Sequence, residues 1–99
     1  MLVDRFYVKA APVVAGTWSA NTQKRVGCYV NQVLVKATTP ATVFDVRIED
    51  LNDTIIRRFT NNTVILNDLT AFPVEGVITI IIYGSDSDED FEVLMVFAE

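Results

Sequence analysis

The stretch Val77-Ile78-Thr79-Ile80-Ile81-Ile82-Tyr83, closed off by Gly76 and Gly84, constrains the chain more than any other. It is too short for a stable helix, and its β-branched and aromatic side chains suit a pleated, half-buried surface, so it predicts a strand. Alternation puts Ile78, Ile80 and Ile82 on one face and Val77, Thr79, Ile81 and Tyr83 on the other. Both faces are apolar. That predicts a central strand covered on both sides, either by its own chain or by another copy.

The remaining segments also read as strands. Leu2 to Ala10 alternates, with Leu2, Asp4, Phe6, Val8 and Ala10 as the inner set, until Ala11-Pro12 ends or bends it, because proline cannot donate to a ladder. Pro12 to Ala20 has no clear period and reads as a short strand or an arm laid over the surface. After the polar connector Asn21 to Arg25, Val26 to Ala37 forms a long strand. Its apolar set runs Val26, Cys28, Val30 and then changes parity near Asn31-Gln32, which predicts a bulge. Thr38-Thr39-Pro40 is turn chemistry. Thr42 to Asp50 is the cleanest amphipathic strand, with Phe44, Val46 and Ile48 inward and Val43, Asp45, Arg47 and Glu49 outward. Leu51-Asn52-Asp53 predicts a hairpin connection into Thr54 to Thr60, and Asn61-Asn62 predicts the next turn. A short strand and an irregular crossing fill Thr63 to Phe72. Phe91 to Ala98 closes the chain, with Phe91, Val93, Met95 and Phe97 alternating against Glu92, Leu94 and Val96, so it too is apolar on both faces. The pattern predicts an all-β, antiparallel sandwich or jelly roll of about seven or eight short strands. It forms a single domain over residues 1–99, in which residues 1–20 serve as an N-terminal strand or arm.

The chemistry that the chain can carry is narrow. It has no histidine, which removes the commonest general base and metal ligand. Its single cysteine, Cys28, forbids an intrachain disulfide and, set among valines, reads as a small buried hydrophobe. The four glycines, Gly16, Gly27, Gly76 and Gly84, stand singly and make no phosphate loop. The net charge of −5, with scattered basic residues, argues against a nucleic-acid partner. No apolar run reaches membrane-helix length, and the N-terminus lacks a signal-peptide pattern, which together predict a soluble protein made inside a cell and no membrane partner. Asp86, Asp88 and Asp90 have a calcium-like spacing but lack the glycine and distal glutamate of the helix-flanked motif, so Ser85 to Asp90 reads as a solvated hairpin tip. No catalytic, cofactor or metal residue is assigned. Trp18, Tyr7, Tyr29 and Tyr83 offer aromatic surface for packing or for stacking on a carbohydrate.

The C-terminal half carries a wider pattern: Val43-Phe44-Asp45-Val46-Arg47-Ile48-Glu49-Asp50, then Phe72-Pro73-Val74-Glu75-Gly76-Val77-Ile78-Thr79-Ile80, then Phe91-Glu92-Val93-Leu94. This half resembles small β-sandwich structural proteins of tailed bacteriophages, and it is also similar to jelly-roll accessory domains appended to secreted bacterial peptidases. The first resemblance implies a non-enzymatic virion component: a capsid decoration (cement) protein or a tail or connector subunit. Such a subunit would be made in the host cytoplasm, act in many copies and contact a major capsid or tail protein. The expected working surface is a protein interface built from Val77, Ile81, Tyr83 and Trp18. The alternative is a glycan-binding or accessory β-sandwich module.

Overall fold

The computed structural model describes residues 3–23 and 25–98. Leu2, Lys24 and the side chain of Val26, which the pattern assigns to the first inner face, the connector and the face of Cys28, lie outside the described residues. The described residues contain no helix and nine strands, β1 (Val3–Pro12), β2 (Trp18–Asn21), β3 (Arg25–Ala37), β4 (Val43–Glu49), β5 (Ile55–Thr63), β6 (Ile65–Asp68), β7 (Phe72–Gly76), β8 (Thr79–Tyr83) and β9 (Asp90–Ala98). They form two antiparallel sheets. One runs β1-β9-β3-β6, with β7 also paired to β3, and the other runs β2-β8-β4-β5. The count exceeds the expected seven or eight because the arm yields a strand of its own in β2 and the irregular crossing separates β6 from β7.

The inner faces meet in one core. Phe44 of β4 and Phe91 of β9 pack edge to face with ring centroids 5.0 Å apart, which joins the two sheets through their central strands. Ile78, Ile80 and Ile82 are fully buried beside Val46 and Ile48, and β8 lies between β2 and β4 as its doubly apolar sequence predicts. Thr42 to Asp50 places Phe44, Val46 and Ile48 inward as expected. Glu49, expected outside and wet, is instead nearly covered, because a register shift follows Ile48 and the Arg47 Nε donates to its Oε2.

Bulges account for the parity changes. In β3 the register with β9 slips between Val30 and Gln32, so Cys28 and Val30 before the slip and Val33 and Val35 after it all face the core. In β1 the slip falls between Val8 and Ala11, so the inner set passes from Phe6 and Val8 to Ala11 and Val13, and Asp4 and Ala10 remain exposed. Asn61-Asn62 is a bulge within β5 rather than the expected turn. Asn61 takes a left-handed φ of 56°, which asparagine tolerates, and the Asn62 Nδ2 donates to the carbonyls of Phe44 and Phe59. The chain changes sheets two residues later at Val64, whose N–H donates to Thr42 and whose carbonyl accepts from Ala37. On the open side of the sandwich, the Arg57 guanidinium lies 5.1 Å from the Phe72 ring centroid and 3.8 Å from the Asp68 carboxylate. It thereby ties β5 of one sheet to β6 and β7 of the other.

Candidate interaction surface

With the inner faces consumed by the core, any working surface must lie on the outer faces, the strand edges or the loops. The two outer faces differ in chemistry. On the four-stranded sheet, cross-strand register sets Ser19, Ile81, Arg47 and Arg58 in one row and Asn21, Thr79 and Glu49 in the next, with Asp45 opposite Tyr83. That face is polar. The Arg47 guanidinium lies over the Tyr83 ring, 4.6 Å from its centroid, while its Nε holds Glu49.

The expected interface residues therefore occupy different places. Ile81 is only 8% exposed, flanked by Ser19 and Arg47 of its own chain. Tyr83 is half-buried beneath Arg47, Val77 is half-buried just before β8, and Trp18 packs against the core from the inner face of β2. The structure brings Ile81 and Tyr83 onto one face but keeps Trp18 away from it. It also divides the aromatic set, since of Trp18, Tyr7, Tyr29 and Tyr83 only Tyr7 and Tyr29 share an outer face.

The outer face of the five-stranded sheet is the apolar one. Register aligns Val3, Ala98, Tyr29 and Pro73 in a row that crosses four strands, β1, β9, β3 and β7, without a polar side chain. A second row runs Tyr7, Leu94, Leu34 and Asn67. Val3 is 56% exposed, Tyr7 52%, Tyr29 50% and Ile65 47%, while Leu34, Leu94 and Val96 are half-buried between them. Contiguous apolar surface of this kind is uncommon on a monomer and marks contact sites. Charges rim it. Glu92 stands opposite Lys36 and accepts a hydrogen bond of 2.6 Å from the Tyr7 hydroxyl, which holds the phenol pKa above its ordinary value. The sequence carried this signal in the doubly apolar last strand. It is complete only when Tyr7, Tyr29 and Leu34, distant in the chain, fall into register.

The acidic loop is exposed at Asp86, Asp88 and Asp90, as expected of a solvated tip, and it is also a structural clasp. The Asp88 carboxylate accepts from the amides of Ala15 (3.0 Å) and Gly16 (2.9 Å), and Asp86 Oδ1 accepts from the Val43 amide (3.1 Å). Glu89 Oε1 accepts from the amides of Thr38 (2.7 Å) and Thr39 (2.9 Å), and Oε2 accepts from the Ser87 hydroxyl (2.8 Å). Partial burial works to raise the Glu89 pKa. Hydrogen bonds from the amide and hydroxyl of Thr39, the Ser87 hydroxyl and the Thr38 amide outweigh it and hold the pKa at about 2. These oxygens are already committed to the β1–β2 and β3–β4 connections. Among the described residues, no group of three His, Cys, Asp or Glu side chains is placed to hold a metal ion. Cys28 is buried in the core. The described residues contain no helix long and apolar enough to cross a membrane.

No protein-family model and no curated protein matches the chain.

Proposed function

We propose that this protein is a non-enzymatic structural subunit that works through protein–protein contact in a symmetric assembly, as a capsid decoration or a tail or connector subunit of a phage virion does. The observation that supports this reading is the outer face of the five-stranded sheet, where Val3, Tyr7, Tyr29 and Ile65 stand exposed beside half-buried Leu34, Leu94 and Val96. The resemblance of the C-terminal half to phage sandwich proteins supplies the setting. The absence of histidine and the commitment of the loop carboxylates to backbone amides leave little for catalysis to use.

The test is mass in solution and on particles. The wild-type chain is expected to sediment as a homo-oligomer or to co-purify with virions. Leu94→Glu and Ile65→Glu should abolish that association while the circular dichroism spectrum stays that of a folded sheet. A chain that stays monomeric at high concentration and binds no particle would sink the proposal, and binding to immobilised glycans through Tyr7 and Tyr29 would install the accessory-module reading in its place.

A further inference from the structure

The edge of the five-stranded sheet is open at β1, a ten-residue strand hydrogen-bonded to β9 on one side only. Its inner-face residues show the gap. Phe6 and Val8 are half-buried, whereas their register partners on β9, Met95 and Val93, are fully buried, so β1 overhangs the side of the core. We infer that β1 pairs antiparallel with β1 of a second copy about a two-fold axis through Phe6, joining the two five-stranded sheets into one continuous sheet. The inference rests on the reading of the protein as a self-assembling subunit and names the contact.

The register follows from faces and charges. A continuous sheet keeps both cores on one side only if facing residues share parity, which limits the pairing to registers centred on a residue. Centring on Asp4 opposes Asp4 to itself, and centring on Arg5 opposes Arg5 to itself. Centring on Tyr7 sets Arg5 against Lys9. Centring on Val8 drives the pairing into the Lys9-Ala10 bulge, where β1 leaves its regular course. Like charges directly opposite are destabilising. Centring on Phe6 avoids the like-charge pairs and reaches the bulge only at its end, where Lys9 faces Val3, and it places Phe6 against Phe6, Asp4 against Val8 and Arg5 against Tyr7 of the second copy. The aromatic pair covers the exposed part of the overhang. Arg5 reaches the ring of a tyrosine whose hydroxyl already donates to Glu92, so a cation meets an aromatic face backed by a carboxylate.

Cysteine cross-linking reads the register directly. In a Cys28→Ala background, Arg5→Cys and Tyr7→Cys chains are mixed and oxidised, because facing residues in an antiparallel pair have Cα separations of about 4.5–5.5 Å, within disulfide reach. The mixture should cross-link at least about tenfold faster than either chain alone, whose cysteines are displaced along the strand. Arg5→Glu should weaken the wild-type dimer by about tenfold in sedimentation. A monomer at the highest soluble concentration, or equal cross-linking of mixed and unmixed chains, overturns the inference. If Leu94→Glu dissolves an oligomer that Arg5→Glu leaves intact, edge pairing falls and the structural-subunit reading stands. If Arg5→Glu weakens a dimer that Leu94→Glu leaves intact, edge pairing stands without the outer face.

Discussion

Glu89 is where the carboxylate chemistry of the loop meets the geometry of the fold, because its two oxygens fix the turn between β3 and β4 while its carbonyl accepts the Val13 amide. Its pKa is depressed from 4.5 to about 2, so its contribution to stability is fully present above pH ~4.5 and is lost as the pH falls through 2. The melting temperature should therefore drop across that window, and Glu89→Gln should be less stable at pH 7 and flatter below 4.5. Glu89→Ala should cost about 1.5 kcal/mol, roughly 6–12 °C for a domain of this size. Asp88→Ala should also destabilise, since two amides at the positive-φ Ala15-Gly16 turn lose their acceptor. Millimolar calcium should leave the melting temperature of the wild-type chain unchanged, and a clear rise would contradict the clasp. None of this was legible in the sequence. The spacing of Asp86, Asp88 and Asp90 advertises a cation, and only the folded loop shows amides from two distant connections arriving at Asp86, Asp88 and Glu89.

Strands were legible wherever one side chain in two was apolar, and less so where a bulge changed the count. Phe44, Val46, Ile48, Ile78, Ile80 and Ile82 alternate without a break, and all six are fully buried. In β3 the change of parity at Asn31-Gln32 announced the bulge that the register shift between Val30 and Gln32 displays. Asn61-Asn62 misled, because a left-handed asparagine serves a bulge as well as a turn, and the actual crossing at Val64 uses a β-branched residue at φ 55° that local propensity argues against. Two hydrogen bonds, to Thr42 and Ala37, hold Val64 there. The β3 bulge yields a sharp expectation. Deleting Asn31 would turn either Cys28 and Val30 or Val33 and Val35 out of the core, so the deletion should abolish the cooperative unfolding transition. A deletion variant that melts near the wild-type temperature would show that the strand can slip without loss.

At the scale of the whole molecule, a two-layer sandwich covers one face of each sheet, and the sequence offers apolar side chains to both faces of β8 and β9. The fold resolves the two cases differently. On β8 the surplus is absorbed within the chain, where Ile81 lies between Ser19 and Arg47, and Arg47 spans Tyr83 to reach Glu49. On β9 the surplus stays half-buried, with Leu94 and Val96 flanked laterally by Tyr7, Arg5, Leu34 and Gln32. Two aspartate or glutamate scans should therefore give opposite results. Ile81→Asp places a charge at a site 8% exposed and draws Arg47 away from Tyr83 and Glu49, so it should cost about 2 kcal/mol of fold stability, whatever the oligomeric state. Leu94→Glu and Ile65→Glu should change the melting temperature of the isolated chain by much less and the association state by much more. Core truncation supplies the scale for the comparison: Phe44→Ala removes a fully buried ring packed on Phe91 and should cost about 3–5 kcal/mol of the ~5–15 kcal/mol such a domain holds. If Ile81→Asp instead left the melt intact and dispersed the oligomer, the contact surface would belong to the four-stranded sheet, and Arg47 would be a movable cover over it rather than part of the finished fold.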